Sequence, residues 1–246
     1  MSPVYDCTTE EGRAEGVAKA VEAVRAGEVV VLPTDTVYGI GADAFSVEAV
    51  ASVLAAKGRG REMPPPVLVP SVRTVDGLAT SVPAWARDLI GAFWPGPLTL
   101  VFRAQTSLMW DLGETNGTVA LRMPQDDIAL AVLTEVGPMA VTSANLTGQP
   151  PATTITDAAA QLGAAVSVYL DGGPTHGTEV STIVDCTGLN PVILRAGAIS
   201  QEQIDEIVAP PDSAPAPVDG DDEAIELPPQ TPPPVTTDGA AAEETS

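Results

Sequence analysis

The chain has 246 residues, 44% of them hydrophobic but only 4% aromatic, and a formal net charge of -22. That composition suits a core of Val, Leu, Ile and Ala, and it argues against a broad electrostatic footprint on nucleic acid. Met1 to Glu11 carries no basic stretch followed by an apolar one, no apolar run approaches a membrane span, and two cysteines, Cys7 and Cys186, are too few for a disulfide scaffold. A cytoplasmic chain with free thiols and no membrane contact is the expectation.

Thr8 and Glu11 have capping-box spacing. Val17, Ala20, Val21 and Val24 then recur at helical spacing, so a helix is predicted to Ala26, with Gly27 as its stop. Val29-Val30-Val31-Leu32 is a continuous apolar run ended by Pro33, which suits a strand buried on both faces. Thr34 to Asp43 follows, with hydroxyls, a carboxylate and two glycines beyond a strand end, where α/β proteins place ligand sites; it is read as a loop. Ser46 caps a helix to Ala56. Val67-Leu68-Val69 is a strand, 83–93 a helix with Pro83 in its first turn, and Trp94-Pro95-Gly96-Pro97 a rigid turn. Leu98–Phe102 and Thr118–Leu121 are strands, the second reaching Arg122. A helix over 126–135 precedes the strand Met139–Thr142, which runs into Ser143-Ala144-Asn145. A helix over 156–162, strands at Val166–Leu170, Ser181–Asp185 and Val192–Arg195, and a last helix capped by Ser200 and Gln203 complete the pattern. The expected fold is one mixed-sheet α/β domain over residues 1–208.

From Ala209 to Ser246 there are nine acidic residues, nine prolines and no Lys or Arg, so the segment 209–246 reads as a disordered acidic tail. Without it, residues 1–208 keep 24 acidic and 11 basic residues, a net charge of -13. Against that background Lys57-Gly58-Arg59-Gly60-Arg61 stands out: three of eleven cations within five positions. Guanidinium and ammonium donors match phosphate oxygens, so the run suits an anionic ligand; it also suits a solvated turn at the negative end of a helix dipole. Neither standard nucleotide loop, G-x-G-x-x-G after a strand or G-x-x-x-x-G-K-[ST], is present. His176, alone in a Gly-rich loop, is a poor metal or base signal, and Asp35 reads as a structural carboxylate.

Six segments in order resemble the YrdC-like family, the L-threonylcarbamoyladenylate synthases: Pro33 to Gly39, Lys57-Gly58-Arg59, Trp94 to Thr99, Thr142 to Asn145, Ser181 to Asp185, and Leu194 to Ile199. The likeness spans about residues 9–208. It implies a twisted mixed sheet curved around a basic cavity, and a reaction joining L-threonine, bicarbonate and ATP into threonylcarbamoyl-AMP with release of pyrophosphate. ATP would be used with Mg²⁺, with no metal held by a dedicated protein cluster. The product would pass to transferase proteins that modify an adenosine beside the anticodon of certain tRNAs, with at most a weak direct contact to tRNA.

On that resemblance Lys57, Arg59, Ser143 and Asn145 are the catalytic set. Lys57, Arg59, Arg61, Thr118, Ser143, Asn145 and Arg195 would hold ATP, and Thr34, Thr36, Arg122 and Ser181 would hold threonine. The chain departs from the family's pattern at Gly60, Met63 and Leu68, where Pro, Asn and His are common, and Arg61 is placed to compensate. Two other readings remain open: a non-catalytic RNA-binding module, and formation of a carbamoyl-adenylate from carbamoyl phosphate, the chemistry of a hydrogenase-maturation domain that shares the fold.

Overall fold

The structure, a computed structural model, describes residues 2–175 and 179–209. His176 and residues 210–246, almost all of the segment read as an acidic tail, lie outside them. The elements in chain order are β1 (Val4–Asp6), α1 (Glu10–Arg25), β2 (Val30–Leu32), β3 (Gly39–Asp43), α2 (Val47–Ala56) and β4 (Val67–Leu68). Then follow α3 (Val75–Leu78), β5 (Ala79–Thr80), α4 (Ala84–Phe93), β6 (Leu98–Ala104), β7 (Thr118–Arg122), α5 (Asp127–Val136) and β8 (Met139–Ser143). The last are α6 (Ile155–Leu162), β9 (Val168–Asp171), β10 (Thr182–Asp185), β11 (Val192–Arg195) and α7 (Gln201–Val208).

These strands form one twisted mixed sheet in the order β1-β9-β2-β3-β8-β4-β7-β6-β10-β11, with β5 pairing the far end of β6. Its two halves are built differently. In the first half β2 is covered on both sides, as its unbroken apolar run predicts. Val30 and Leu32 pack with Val21 and Val24 of α1 and Val132 and Leu133 of α5. Val29 and Val31 pack the other way, with Ala49 and Val53 of α2 and Ala158 and Leu162 of α6.

In the second half only one face carries helices. Leu98, Leu100 and Phe102 of β6, Leu121 of β7 and Val184 of β10 pack on Leu89 and Ile90 of α4 and Ile204 of α7. The two-residue period of a strand then turns Thr99, Val101, Thr118, Ala120, Arg122 and Ile183 to the opposite face, where among the described residues no helix covers them. That face lines a cavity.

Most caps fall where the side chains predict them. Ser46 accepts from Ala49 N–H, and Ser200 with Gln203 forms a full capping box. Two readings need correction. The cap of α1 is Thr9, which accepts from Gly12 N–H, while the Thr8 hydroxyl turns back to Asp6. The stretch Thr34–Asp43 is not all loop: Gly39–Asp43 is β3, paired antiparallel to both β2 and β8. Its glycines mark close packing within the sheet. A Cβ on Gly41 would stand 2.5 Å from Val141 Cγ2 and 2.9 Å from Ala140 O. Gly41→Ala is expected to cost about 1–3 kcal/mol in a urea titration; an unchanged midpoint would show that β3 and β8 do not pack this closely. Both cysteines are free and buried. Among the described residues no helix is long and apolar enough to cross a membrane.

Candidate active site

The uncovered face, the turn before β3 and the segments after α2 and before β10 enclose a cavity of about 420 Å³. Thr34, Thr36, Arg59, Thr118, Arg122, Ser143, Ser181 and Arg195 all line it, with Tyr38, Thr99, Thr115 and Thr142 beside them. Three guanidinium groups from distant parts of the chain thus meet in one hollow. Burial disfavours the charged form of Arg195, and the nearby charges of Arg122 and Arg59 add to that effect.

Arg122 stands at the end of β7, pointing inward by the strand's alternation. Its Nε donates to Gly96 O (3.0 Å), its Nη1 to Thr36 Oγ1 (3.1 Å) and its Nη2 to Asp35 Oδ1 (2.7 Å). A guanidinium has five N–H groups, so two remain, one on each terminal nitrogen. The Trp94–Pro97 turn and the Thr34–Thr36 turn therefore converge on one side chain. Thr34 Oγ1 donates to Val37 O (2.6 Å), so the Thr36 hydroxyl is the donor in the 3.0 Å contact between the two threonines. Thr34 Oγ1 also accepts from Thr36 N–H (3.2 Å), which fills its two acceptor positions, whereas Thr36 Oγ1, accepting from Arg122, keeps one lone pair for a ligand's N–H or O–H.

Arg59 comes off the C-terminal end of α2 and donates through Nη1 to Thr142 Oγ1 (3.0 Å). Its Nε is buried and has no partner among the described residues. Arg195 closes the far side: Nε and Nη2 donate to Ser181 O (3.2 and 2.7 Å), and Nη2 also reaches Ser181 Oγ (3.0 Å). Ser181 Oγ lies 2.8 Å from Thr99 Oγ1 across the β6–β10 pair. Thr118 Oγ1 donates to Thr115 O (2.8 Å).

Lys57 and Asn145 are placed otherwise than a direct ligand contact requires. Neither lines the cavity. Lys57 is 3% exposed, and its ammonium donates to Ser143 O, to Asn145 O (2.7 Å) and to Asn145 Oδ1 (3.3 Å), which uses all three protons. Asn145 Nδ2 donates to Leu146 O and Gln149 O, both at 2.8 Å. Together they fix the segment after β8 and present Ser143, whose hydroxyl makes no hydrogen bond among the described residues, to the cavity. Burial, and secondarily Arg59, pulls the Lys57 ammonium down to about 8.

Arg61 does not line the cavity either. Its Nη2 reaches both oxygens of Asp111 (2.7 and 3.0 Å) on an exposed surface, so it does not stand in for the family residues absent at Gly60, Met63 and Leu68. Of the residues not singled out from the sequence, Thr99 and Thr142 lay inside the resembling segments. Leu112 and Thr115 lay in a polar loop with no signal of its own.

The Sua5/YciO/YrdC family model, described as telomere recombination, matches residues 22–197. The chain belongs to the Sua5/YciO/YrdC family. A Mycobacterium tuberculosis member, provisionally named a threonylcarbamoyl-AMP synthase, is 54% identical over 208 residues, covering 85% of this chain and 96% of its own. The Bacillus subtilis threonylcarbamoyl-AMP synthase is 39% identical over 197 residues, covering 79% of this chain and 57% of its own. Among solved structures, Pyrococcus abyssi Sua5 in complex with L-threonine is 32% identical with a TM-score of 0.81, over 85% of this chain and 61% of that one. This family member thus spans less than two thirds of the length of the Bacillus and Pyrococcus proteins. The mixed α/β fold read from the sequence is the Sua5/YciO fold.

Proposed function

We propose that this chain joins L-threonine, bicarbonate and ATP into threonylcarbamoyl-AMP, releasing pyrophosphate, and that the product serves threonylcarbamoyl modification of a tRNA adenosine next to the anticodon. The observation that carries the reading is the convergence of Arg59, Arg122 and Arg195 on one hydroxyl-lined cavity in a chain that is otherwise acidic. The names of its relatives and the threonine bound to the Pyrococcus protein support it.

The reaction must bring two anions together. The threonine amine takes up carbon dioxide from bicarbonate and loses a proton, which leaves with the hydroxyl of bicarbonate as water, giving a carbamate. A carbamate oxygen then attacks the α-phosphorus of ATP, and the bond to the bridging oxygen breaks as pyrophosphate leaves. Unit charges about 4 Å apart repel by about 4 kcal/mol at an effective dielectric near 20. Fixed guanidinium groups offset that repulsion and stabilise charge on the leaving oxygens without reorganising. Arg59 and Arg195 are assigned to the phosphates, with Thr118 toward the nucleotide. The two remaining N–H groups of Arg122 are assigned to the threonine carboxylate, and Thr36 and Ser181 to its hydroxyl and amine, with Thr34 holding the Thr36 hydroxyl in place. Lys57 and Asn145 act by holding Ser143 in place.

Mg²⁺ accompanies ATP in this reading and would neutralise phosphate charge. Among the described residues no group of three His, Cys, Asp or Glu side chains stands close enough to hold a metal, and Asp35 gives its Oδ1 to Arg122 and Gln125 N–H. The residues present fit an ion carried on phosphate oxygens and water. A cytoplasmic setting and hand-over to a tRNA-modifying transferase belong to the same proposal.

The test is release of pyrophosphate from ATP by the purified chain. Release that needs both threonine and bicarbonate, with labelled threonylcarbamoyl-AMP formed, is the expected result. No release under those conditions would overturn the reading. Release without threonine but with carbamoyl phosphate would favour the carbamoyl-adenylate alternative, and a salt-sensitive tRNA gel shift with no turnover the RNA-binding one.

A further inference from the structure

The three guanidinium groups in the cavity differ electrostatically. Arg122 is paired with Asp35 at 2.7 Å, and the two side chains are only 8% and 12% exposed. Arg59 and Arg195 make no ion pair among the described residues, although the charge of Glu62 favours the charged form of Arg59; their hydrogen-bond partners are the Thr142 hydroxyl and Ser181. The cavity therefore has an ion-paired end and an end without an ion pair, though the charge of Arg122 still reaches Arg195. Asp35 itself is oddly used. Both Arg122 Nη2 and Gln125 N–H go to Oδ1, while Oδ2 is buried with no partner among the described residues. An unsatisfied buried carboxylate oxygen costs stability, so stability alone does not account for a charged residue at this position.

We propose that Asp35 sorts the two anionic substrates: by offsetting the charge of Arg122 and repelling multiply charged groups, it keeps that guanidinium for a planar carboxylate and steers the phosphates of the nucleotide to Arg59 and Arg195. The physics is a difference in repulsion. A carboxylate carries one negative charge and is repelled weakly by Asp35, while hydrogen bonds to the two remaining N–H groups of Arg122 outweigh that repulsion. A di- or triphosphate carries several charges and is repelled in proportion. Specificity here comes from a built-in repulsive element as much as from the attractive one. The inference rests on the reading that an amino acid and ATP share this cavity.

The test uses the full chain with Asp35→Asn, which keeps an oxygen for Arg122 and Gln125 but removes the charge, and inorganic phosphate as probe. Phosphate binding is read by titration calorimetry and by thermal shift, alone and with saturating threonine. The variant is expected to bind phosphate about tenfold more tightly, with threonine displacing that phosphate, whereas in the unaltered chain threonine displaces none. The variant's melting temperature should rise more with phosphate than the unaltered chain's, which can be read even if the variant starts out less stable. Asp35→Glu, which keeps the charge, should behave as the unaltered chain does. Equal phosphate affinity in Asp35→Asn and the unaltered chain, or tightened phosphate that threonine does not displace, would overturn the proposal. An unaltered chain that binds no threonine would overturn the functional reading instead, while the phosphate affinities would still report on Asp35.

Discussion

Arg59→Ala is expected to lower threonine-dependent pyrophosphate release by about 10³-fold, the scale on which a preorganised donor at a developing charge acts. The fold should be barely affected, with stability changed by no more than about 0.5 kcal/mol. Arg59 is half-buried, makes one hydrogen bond to Thr142, and carries an Nε with no partner among the described residues, so the native state loses little when it goes. Single-turnover kinetics with a urea titration would separate the two effects. Full activity in this variant would remove Arg59 from the phosphate site. A large loss of stability would make it a structural residue.

Lys57 should behave in the opposite way, because its ammonium is spent on the protein. Lys57→Met leaves the carbonyls of Ser143 and Asn145 without their donor in a buried setting, a cost of about 1–3 kcal/mol. Turnover should fall at least about 10²-fold as Ser143 loses its position. The pH dependence sharpens this. With the ammonium held down to about 8, raising the pH through that value removes one of its three protons and one of its three bonds, so turnover should fall with a single-proton limb near pH 8. Stability should not fall with it. The folded-state value lies below the unfolded value of 10.5, so between about 8 and 10.5 the unfolded chain binds more protons, and this group's contribution to stability rises with pH. A turnover profile measured beside urea midpoints at each pH would show activity lost while this residue adds no instability. The residual activity of Lys57→Met should lack the limb. A limb that persists in that variant would assign the titration to another group.

How much of this was legible in the sequence depends on what each residue's environment leaves in its neighbours. The apolar run at Val29–Leu32 announces a strand covered on both faces because such a strand has no polar side to show. Ser200 and Gln203 announce a helix start because only that spacing lets each satisfy the other's backbone. Gly39 and Gly41 were read as loop residues because glycine usually marks a turn. Here it marks a strand pressed against Val141, and nothing local distinguishes the two cases. β1, β5 and α3 went unseen because two to four residues carry too little periodicity to register. The site divides in the same way. Arg59 could be picked out as part of a cation cluster in an acidic chain, whereas Arg122 and Arg195 were legible only through the family likeness; all three line the cavity. The burial of Lys57 could not, since its partners lie 86 and 88 residues away and are mostly backbone carbonyls, which every sequence supplies. Arg61 sits in the same run of five, yet its guanidinium turns to Asp111, a partner likewise set by the path of a distant loop.

Crystals grown with L-threonine and a non-hydrolysable ATP analogue would test the whole arrangement in one measurement. The expected density places phosphate oxygens within about 3 Å of the Arg59 and Arg195 nitrogens and the amino-acid carboxylate on the two remaining N–H groups of Arg122. Ligands bound elsewhere, or phosphates on Arg122 with the amino acid outside the hollow, would contradict it.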